Sequence, residues 1–301
     1  RQPTASPDGG GSGGSGVSPE EYAELAEFAP RSARRAAGQG RTALAACGLD
    51  LVAEASAGRL DPVLGRDAEV LRVLQILSRR TKSNCCLVGA PGVGKTAIVE
   101  AVAQRIAAGR VPPQLRACRE LWSLDVGALL AGTALRGDFE ERVRALLAEA
   151  RAAAGELVLF VDELHLLVGA GRSEGNTVDA ANLLKPLLAR GEVRCVGATT
   201  SEEYRSLILR GDPAFERRFQ VVEVLEPGAA AAADMLRGLL PRYASHHGLR
   251  AGVGVAEAAV ELSRGARARS LPDRAIDALD EACALAAEAG AEEVRAEHVR
   301  A

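Results

Sequence analysis

The eight residues Gly89-Ala90-Pro91-Gly92-Val93-Gly94-Lys95-Thr96 constrain this chain more than any other stretch. They follow an apolar run, Cys85 to Val88, and lead into a segment, Lys95 to Ala108, whose apolar residues recur at helical spacing. A glycine-punctuated turn between a buried strand and a helix lets successive backbone N–H groups turn inward at the positive end of the helix dipole. That is a phosphate cradle, and the spacing GxxxxGK[ST] assigns its parts: Lys95 meets the β and γ phosphates and Thr96 ligates Mg²⁺. A ligand-free Gly-rich turn is the plain alternative, and the strand before and helix after weigh against it.

The rest of the chain alternates helical periodicity with short apolar runs, the pattern of a mainly parallel sheet covered by helices. Strands are expected at Cys85 to Val88, Leu121 to Asp125, Leu157 to Asp162, Val193 to Gly197 and Gln220 to Val224. Helices are expected at Asp67 to Arg80, Lys95 to Ala108, Asp138 to Ala153 and Thr177 to Ala189. After Pro227 the strand signal stops; Ala229 to Tyr243, Val255 to Arg264, Pro272 to Ala287 and a last stretch from Val294 show helical spacing. The fold class is therefore α/β: a five-stranded parallel sheet flanked by helices, then a small all-α lid. Residues 1–18 are Gly/Ser-rich and expected to be a linker, 19–57 a helical lead-in, 58–226 the α/β body and 227–301 the lid.

The run Leu157-Val158-Leu159-Phe160-Val161 ends in Asp162-Glu163. A buried strand has no reason to finish in two carboxylates unless a cation or a reacting group sits there. Beside a phosphate cradle, Asp162 is expected to hold hydrated Mg²⁺ and Glu163 to polarise the attacking water as general base. An exposed acidic strand end is the plain alternative.

Bulk properties exclude little but point one way. A chain of 301 residues buries a core without staples, and a net charge of −3 with pI near 6.0 gives no electrostatic support to nucleic-acid or membrane-surface binding. Six cysteines lack CxxC spacing and read as reduced core thiols of an intracellular protein. No apolar run is long enough to span a bilayer. The chain opens on Arg1 and its single methionine is Met235, which reads as a fragment or processed form.

These motifs occur together with Asp61-Pro62-Val63-Leu64-Gly65-Arg66, Gly197-Ala198-Thr199-Thr200 and Glu216-Arg217-Arg218-Phe219. From about Gly58 to Ala287 the chain thereby resembles the Clp-type AAA+ unfoldases (ClpA, ClpB and ClpC), in their first ATPase domain. Asp179 to Pro186 and Asp212 to Gln220 look nearer to ClpC than to ClpB. The resemblance implies an ATPase using ATP and Mg²⁺. Val63, Leu64 and the lid's Ile276 would line the adenine pocket, and Thr200 would be the first sensor, orienting the lytic water. Asp273 and Arg274 occupy the lid position that meets nucleotide, with arginine where lysine is usual. Arg217 and Arg218 match arginine fingers that reach a neighbouring subunit's γ-phosphate. A homo- or hetero-oligomeric ring, a hexamer, is implied, with protein substrates and a Clp-type protease as partners. The implied setting is the cytoplasm or an organelle stroma or matrix, the chloroplast stroma if the chain is ClpC-like.

One position departs from that family. The first pore loop reads Gly132-Thr133-Ala134-Leu135-Arg136-Gly137, with Leu135 where a gripping tyrosine is expected. Leucine keeps apolarity but loses the ring. The leading function is thus Mg²⁺-dependent ATP hydrolysis coupled to unfolding or disaggregating proteins, or delivering them to a protease. The alternative is an ATP-binding ring scaffold or regulatory subunit with weak threading. A DNA-directed motor is a third reading, with no basic surface to support it.

Overall fold

The computed structural model describes residues 41–130, 136–169, 172–173, 176–177, 180–264 and 269–300. The Gly/Ser-rich linker, residues 19–40 of the expected helical lead-in and the pore-loop residues Gly132, Thr133, Ala134 and Leu135 lie outside them; Arg136 and Gly137 begin α6, and the side chain of Arg136 lies outside the description.

In chain order the first elements are α1 (Thr42–Cys47), β1 (Gly48–Asp50), α2 (Leu51–Ser56), α3 (Asp67–Leu77), β2 (Asn84–Val88), α4 (Lys95–Ala107) and β3 (Glu120–Leu124). Next come α5 (Val126–Leu130), α6 (Arg136–Ala152), β4 (Leu157–Val161), α7 (Leu164–Gly169), the two-residue strands β5 (Arg172–Ser173) and β6 (Asn176–Thr177), and α8 (Ala180–Arg190). The body closes with β7 (Arg194–Thr199), α9 (Ser201–Glu203), a π-helical segment at Tyr204–Leu209, α10 (Pro213–Glu216) and β8 (Phe219–Glu223). The lid holds α11 (Ala229–His246), β9 (Arg250–Ala251), α12 (Val255–Ser263), α13 (Asp273–Glu288) and β10 (Glu293–Val294).

The main sheet runs β1-β3-β4-β7-β2-β8. Its five longer strands are parallel, as expected, because each is fed by a helical crossover and both faces are covered. Every residue of β2 and β4 is buried, which is why both read as unbroken apolar runs. One core packs α1, α6 and α8 on one face of the sheet, the other packs α2, α3 and α4 on the opposite face, and a third lies wholly within the lid.

Several elements differ from expectation, among them Thr177, which lies in β6 opposite Arg172, while the described helix there is Ala180–Arg190. A sixth strand, β1, pairs antiparallel with β3 (Gly48 opposite Leu124, Asp50 opposite Trp122). Three residues after an Ala-rich helix carry no periodicity, so only the pairing reveals it. The stretch from Val294 is not helical: β10 pairs parallel with β9, and Val294 is fully buried there. The helix from Asp67 also stops at Leu77 rather than Arg80, ahead of Lys82 at φ 54°.

All six cysteines are buried free thiols, as the reduced-core reading requires, and burial pushes Cys195 up to about 12 and Cys118 up to about 11. No helix among the described residues is long and apolar enough to cross a membrane.

Asp50 ties β1 and α2 to the sheet, accepting from Val52 N–H at 3.0 Å and Leu121 N–H at 3.3 Å. Burial nevertheless raises its carboxyl to about 6, against its backbone hydrogen bonds. A carboxyl raised on folding makes the folded state the better proton binder, so stability falls as pH rises from about 4 through 6. Asp50→Asn keeps the cap and removes the proton. Between pH 4.5 and 7, wild type is expected to lose on the order of 2 kcal/mol relative to the variant. Urea midpoints of both proteins at the two pH values measure this, and parallel pH dependences would contradict it.

Candidate active site

The strand order places β4, β7 and β2 side by side, so Asp162, Thr200 and Gly89, each just past a carboxyl end, must converge. Register sharpens this: Val88 lies opposite Thr199 and Val161 opposite Gly197. In open parallel sheets this edge is where ligands bind. Here it opens a cavity of about 610 Å³ between body and lid.

The phosphate loop is shaped by its glycines. Gly92 and Gly94 sit at φ +77° and +93°, which side chains rarely adopt, and Gly94 caps α4. A Cβ on Gly92 would lie 2.7 Å from Asp273 Cβ, because the lid comes down on the loop there and Asp273 N–H donates to Gly92 O at 3.3 Å. Lys95 Nζ donates to Gly89 O (3.1 Å) and Ala90 O (3.0 Å), so its ammonium is folded over its own loop. Burial lowers the Lys95 pKa, against the opposing pull of Asp162, Glu203 and Glu163.

Thr96 Oγ1 donates to Asp162 Oδ2 at 3.0 Å, which puts a hydroxyl and a carboxylate at one point beside the loop. This hard-oxygen pair fits Mg²⁺, an ion that takes one or two carboxylates and completes its shell with water and phosphate. Among the described residues there is no group of three or more His, Cys, Asp or Glu side chains that could hold a metal ion.

Glu163 occupies a left-handed turn at φ +50°, an uncommon conformation for a non-glycine residue. Its N–H is held by Asp162 Oδ1 at 2.9 Å, and the next side chain, Leu164, packs hard against Gly197, where a Cβ would meet it at 2.4 Å. The carboxylate is exposed and lines the cavity.

Thr200 lines the cavity and caps α9 in a reciprocal box with Glu203: its Oγ1 donates to Glu203 Oε2 at 2.7 Å and accepts from Glu203 N–H at 3.2 Å. Thr199 Oγ1 also donates to that carboxylate at 3.2 Å and lies 3.1 Å from the Nδ1 of buried His165. Burial raises the Glu203 pKa, but the hydrogen bonds from Thr200 and the nearby His165 outweigh it and leave the carboxyl lowered. Neither Glu203 nor His165 belongs to a sequence motif that marks the site; Glu203 is legible only as the third residue of a capping box opening at Thr200.

The remaining expected residues divide. Pro91, Gly92, Val93, Val63, Leu64, Ile276 and Asp273 all line the cavity, Leu64 packed on Gly238 of α11, together with Leu239 and Tyr243. Gly89 and Ala90 do not; they offer carbonyls to Lys95. Arg274, expected at the nucleotide, is turned instead onto Glu226 Oε1 (3.1 Å) and Arg269 O (3.0 Å), because Glu226 stands at the foot of the lid to receive it. Arg217 and Arg218 lie outside the cavity of their own chain: Arg217 is exposed, and Arg218 donates to Lys185 O at 3.2 Å and to Ala214 O.

Comparison with known proteins agrees with this arrangement. Residues 85–225 match the ATPase family associated with various cellular activities (AAA), and residues 228–299 match the AAA lid domain. The ClpB chaperone of Nitratidesulfovibrio vulgaris is 55% identical over 244 residues, 81% of this chain and 28% of the relative. Heat shock protein 100 of Trypanosoma brucei brucei is 53% identical over 236 residues, 78% of this chain and 27% of the relative. A closed-state reconstruction of Hsp104 with ATPγS and FITC casein superposes with a TM-score of 0.78 at 44% identity, covering 85% of this chain and 44% of that one. The Saccharomyces cerevisiae Hsp104–ADP complex gives 0.75 at 46% identity, covering 82% of this chain and 34% of that one. The chain thus spans little more than a quarter of the length of these curated relatives. They are ClpB and Hsp100 chaperones, and the finer expectation of a ClpC-like chain receives no specific support from them.

Proposed function

The chain belongs to the AAA family of ATPases, in its Clp type, and from that premise we propose that it hydrolyses ATP with Mg²⁺ to remodel folded or aggregated proteins as one module of a hexameric ring. The observation that carries the proposal is the meeting of Lys95, Thr96, Asp162, Glu163 and Thr200 around one cavity at the carboxyl edge of three adjacent strands.

Lys95 exchanges the carbonyls of Gly89 and Ala90 for phosphate oxygens, and loop N–H groups and the α4 dipole hold the rest. The adenine ring lies between Val63 and Leu64 on one side and Ile276 on the other. Asp162 and Thr96 hold the metal, which when bound neutralises charge on the phosphates. Glu163 takes the proton of the attacking water, and Thr200 orients that water. Arg217 and Arg218 serve the site of the next subunit, where a trans arginine offsets charge developing on the transferred phosphoryl group. We propose disaggregation rather than delivery to a protease because the relatives are ClpB and Hsp104 chaperones. An intracellular compartment agrees with six buried free thiols.

The experiment is a titration of the purified chain with a fluorescent ADP analogue and Mg²⁺. Lys95→Ala removes the cation and is expected to weaken binding about 10- to 100-fold with the fold intact. A folded wild type that binds no adenine nucleotide would overturn the proposal. The second reading, a ring subunit that binds ATP to scaffold or regulate, is favoured by Leu135 in place of an aromatic residue. Turnover that rises when an unfolded protein is added supports remodelling; turnover indifferent to it supports the scaffold.

A further inference from the structure

Arg66 keeps only 7% of its surface exposed; among the described residues, Glu54 is the other Asp, Glu, Lys or Arg so deeply placed. Burying a guanidinium is unfavourable unless its N–H groups are used. Here Nη2 donates to Val93 O at 2.6 Å and to Leu225 O at 3.0 Å, and Nη1 to Glu69 Oε1 at 2.9 Å. Val93 belongs to the phosphate loop. Leu225 lies between β8 and the lid, in the connection preceding α11.

Each contact fixes more than one atom. In a trans peptide the carbonyl and the following N–H point in opposite directions. Pinning Val93 O therefore fixes the direction of the Gly94 N–H opposite to it, and Arg66, Val93 and Gly94 all line the cavity. Pinning Leu225 O orients the next residue, Glu226, whose carboxylate accepts from Leu271 N–H at 2.9 Å and from Arg274 on the lid. One planar fork thus touches the loop that receives phosphates and the strap from which the lid hangs. Lysine, with a single nitrogen, cannot span the three acceptors in that geometry.

We infer that Arg66 is a positioning residue that sets the phosphate loop and the lid connection together, so that nucleotide in the loop and placement of the lid bias each other through one guanidinium. This rests on the nucleotide reading proposed above. Reciprocity follows: whatever the lid does to nucleotide affinity, nucleotide does to the lid.

The test uses Arg66→Lys and Arg66→Gln, with folding checked by circular dichroism. Three quantities are read: affinity for a fluorescent ADP analogue, KM against kcat for ATP, and protection by ADP of the 224–228 connection from limited proteolysis. Expected are affinity about tenfold weaker, KM rising more than kcat falls, and incomplete protection even when ADP saturates the variant. The last readout would not move for a residue that merely supports the fold. Folded variants that bind ADP like wild type, or that are fully protected at saturation, would overturn the inference, and so would loss of the fold in both. A wild type that binds no nucleotide would instead sink the functional reading itself.

Discussion

Glu163→Gln is expected to leave nucleotide bound and to lower ATP turnover about 10²- to 10⁴-fold, the usual worth of a positioned general base. The amide has the shape of the carboxylate but cannot accept the water's proton. Its backbone has little cause to move, since the turn is held by Asp162 Oδ1 and by Leu164 seated against Gly197. Phosphate release at saturating ATP measures turnover, and titration with the fluorescent ADP analogue checks that binding persists. Equal rates in wild type and variant would remove Glu163 from the chemistry.

The second large effect concerns the arginines. Asp212 caps α10, accepting from Phe215 N–H at 2.9 Å, and pairs with Lys185, so the segment ahead of Arg217 and Arg218 is rigidly seated. Replacing both arginines by alanine is expected to cost about 10³ to 10⁵ in turnover while sparing ADP binding. The proposed ring would allow a stricter measurement. A subunit lacking its arginines keeps a sound cavity, and a Glu163→Gln subunit keeps sound arginines. Mixing the two inactive proteins should therefore restore turnover at head-to-tail junctions between them. Failure of the mixture to recover, with mixed assembly demonstrated, would refute a contribution in trans.

Much of this was legible in the sequence because the chemistry is local. The loop from Gly89 to Thr96 and the pair Asp162-Glu163 each occupy consecutive positions, and the apolar runs before them announce the strands they terminate. What escaped was set by partners far along the chain. The strand β1 exists through its pairing with β3, some seventy residues on. Arg274 sits one position from Asp273 and looked equivalent to it, but Glu226 claims its side chain while Asp273 meets the loop at Gly92. Arg66 closes the Asp61–Arg66 stretch that carries the resemblance, and nothing nearby in sequence reveals that its acceptors are Val93 and Leu225. The lid helices were visible by periodicity, whereas the Val294 strand takes its conformation from Arg250 and Ala251.

The walls of the cavity come from two separately packed cores, Val63 from one and Ile276 from the other, joined by the short stretch around Leu225. A nucleotide bound as proposed would touch both cores at once. On the proposed function, exchanging spent for fresh fuel would pull on the five-residue strap of residues 224–228, and the stiffness of that strap would bear on the tempo of the cycle.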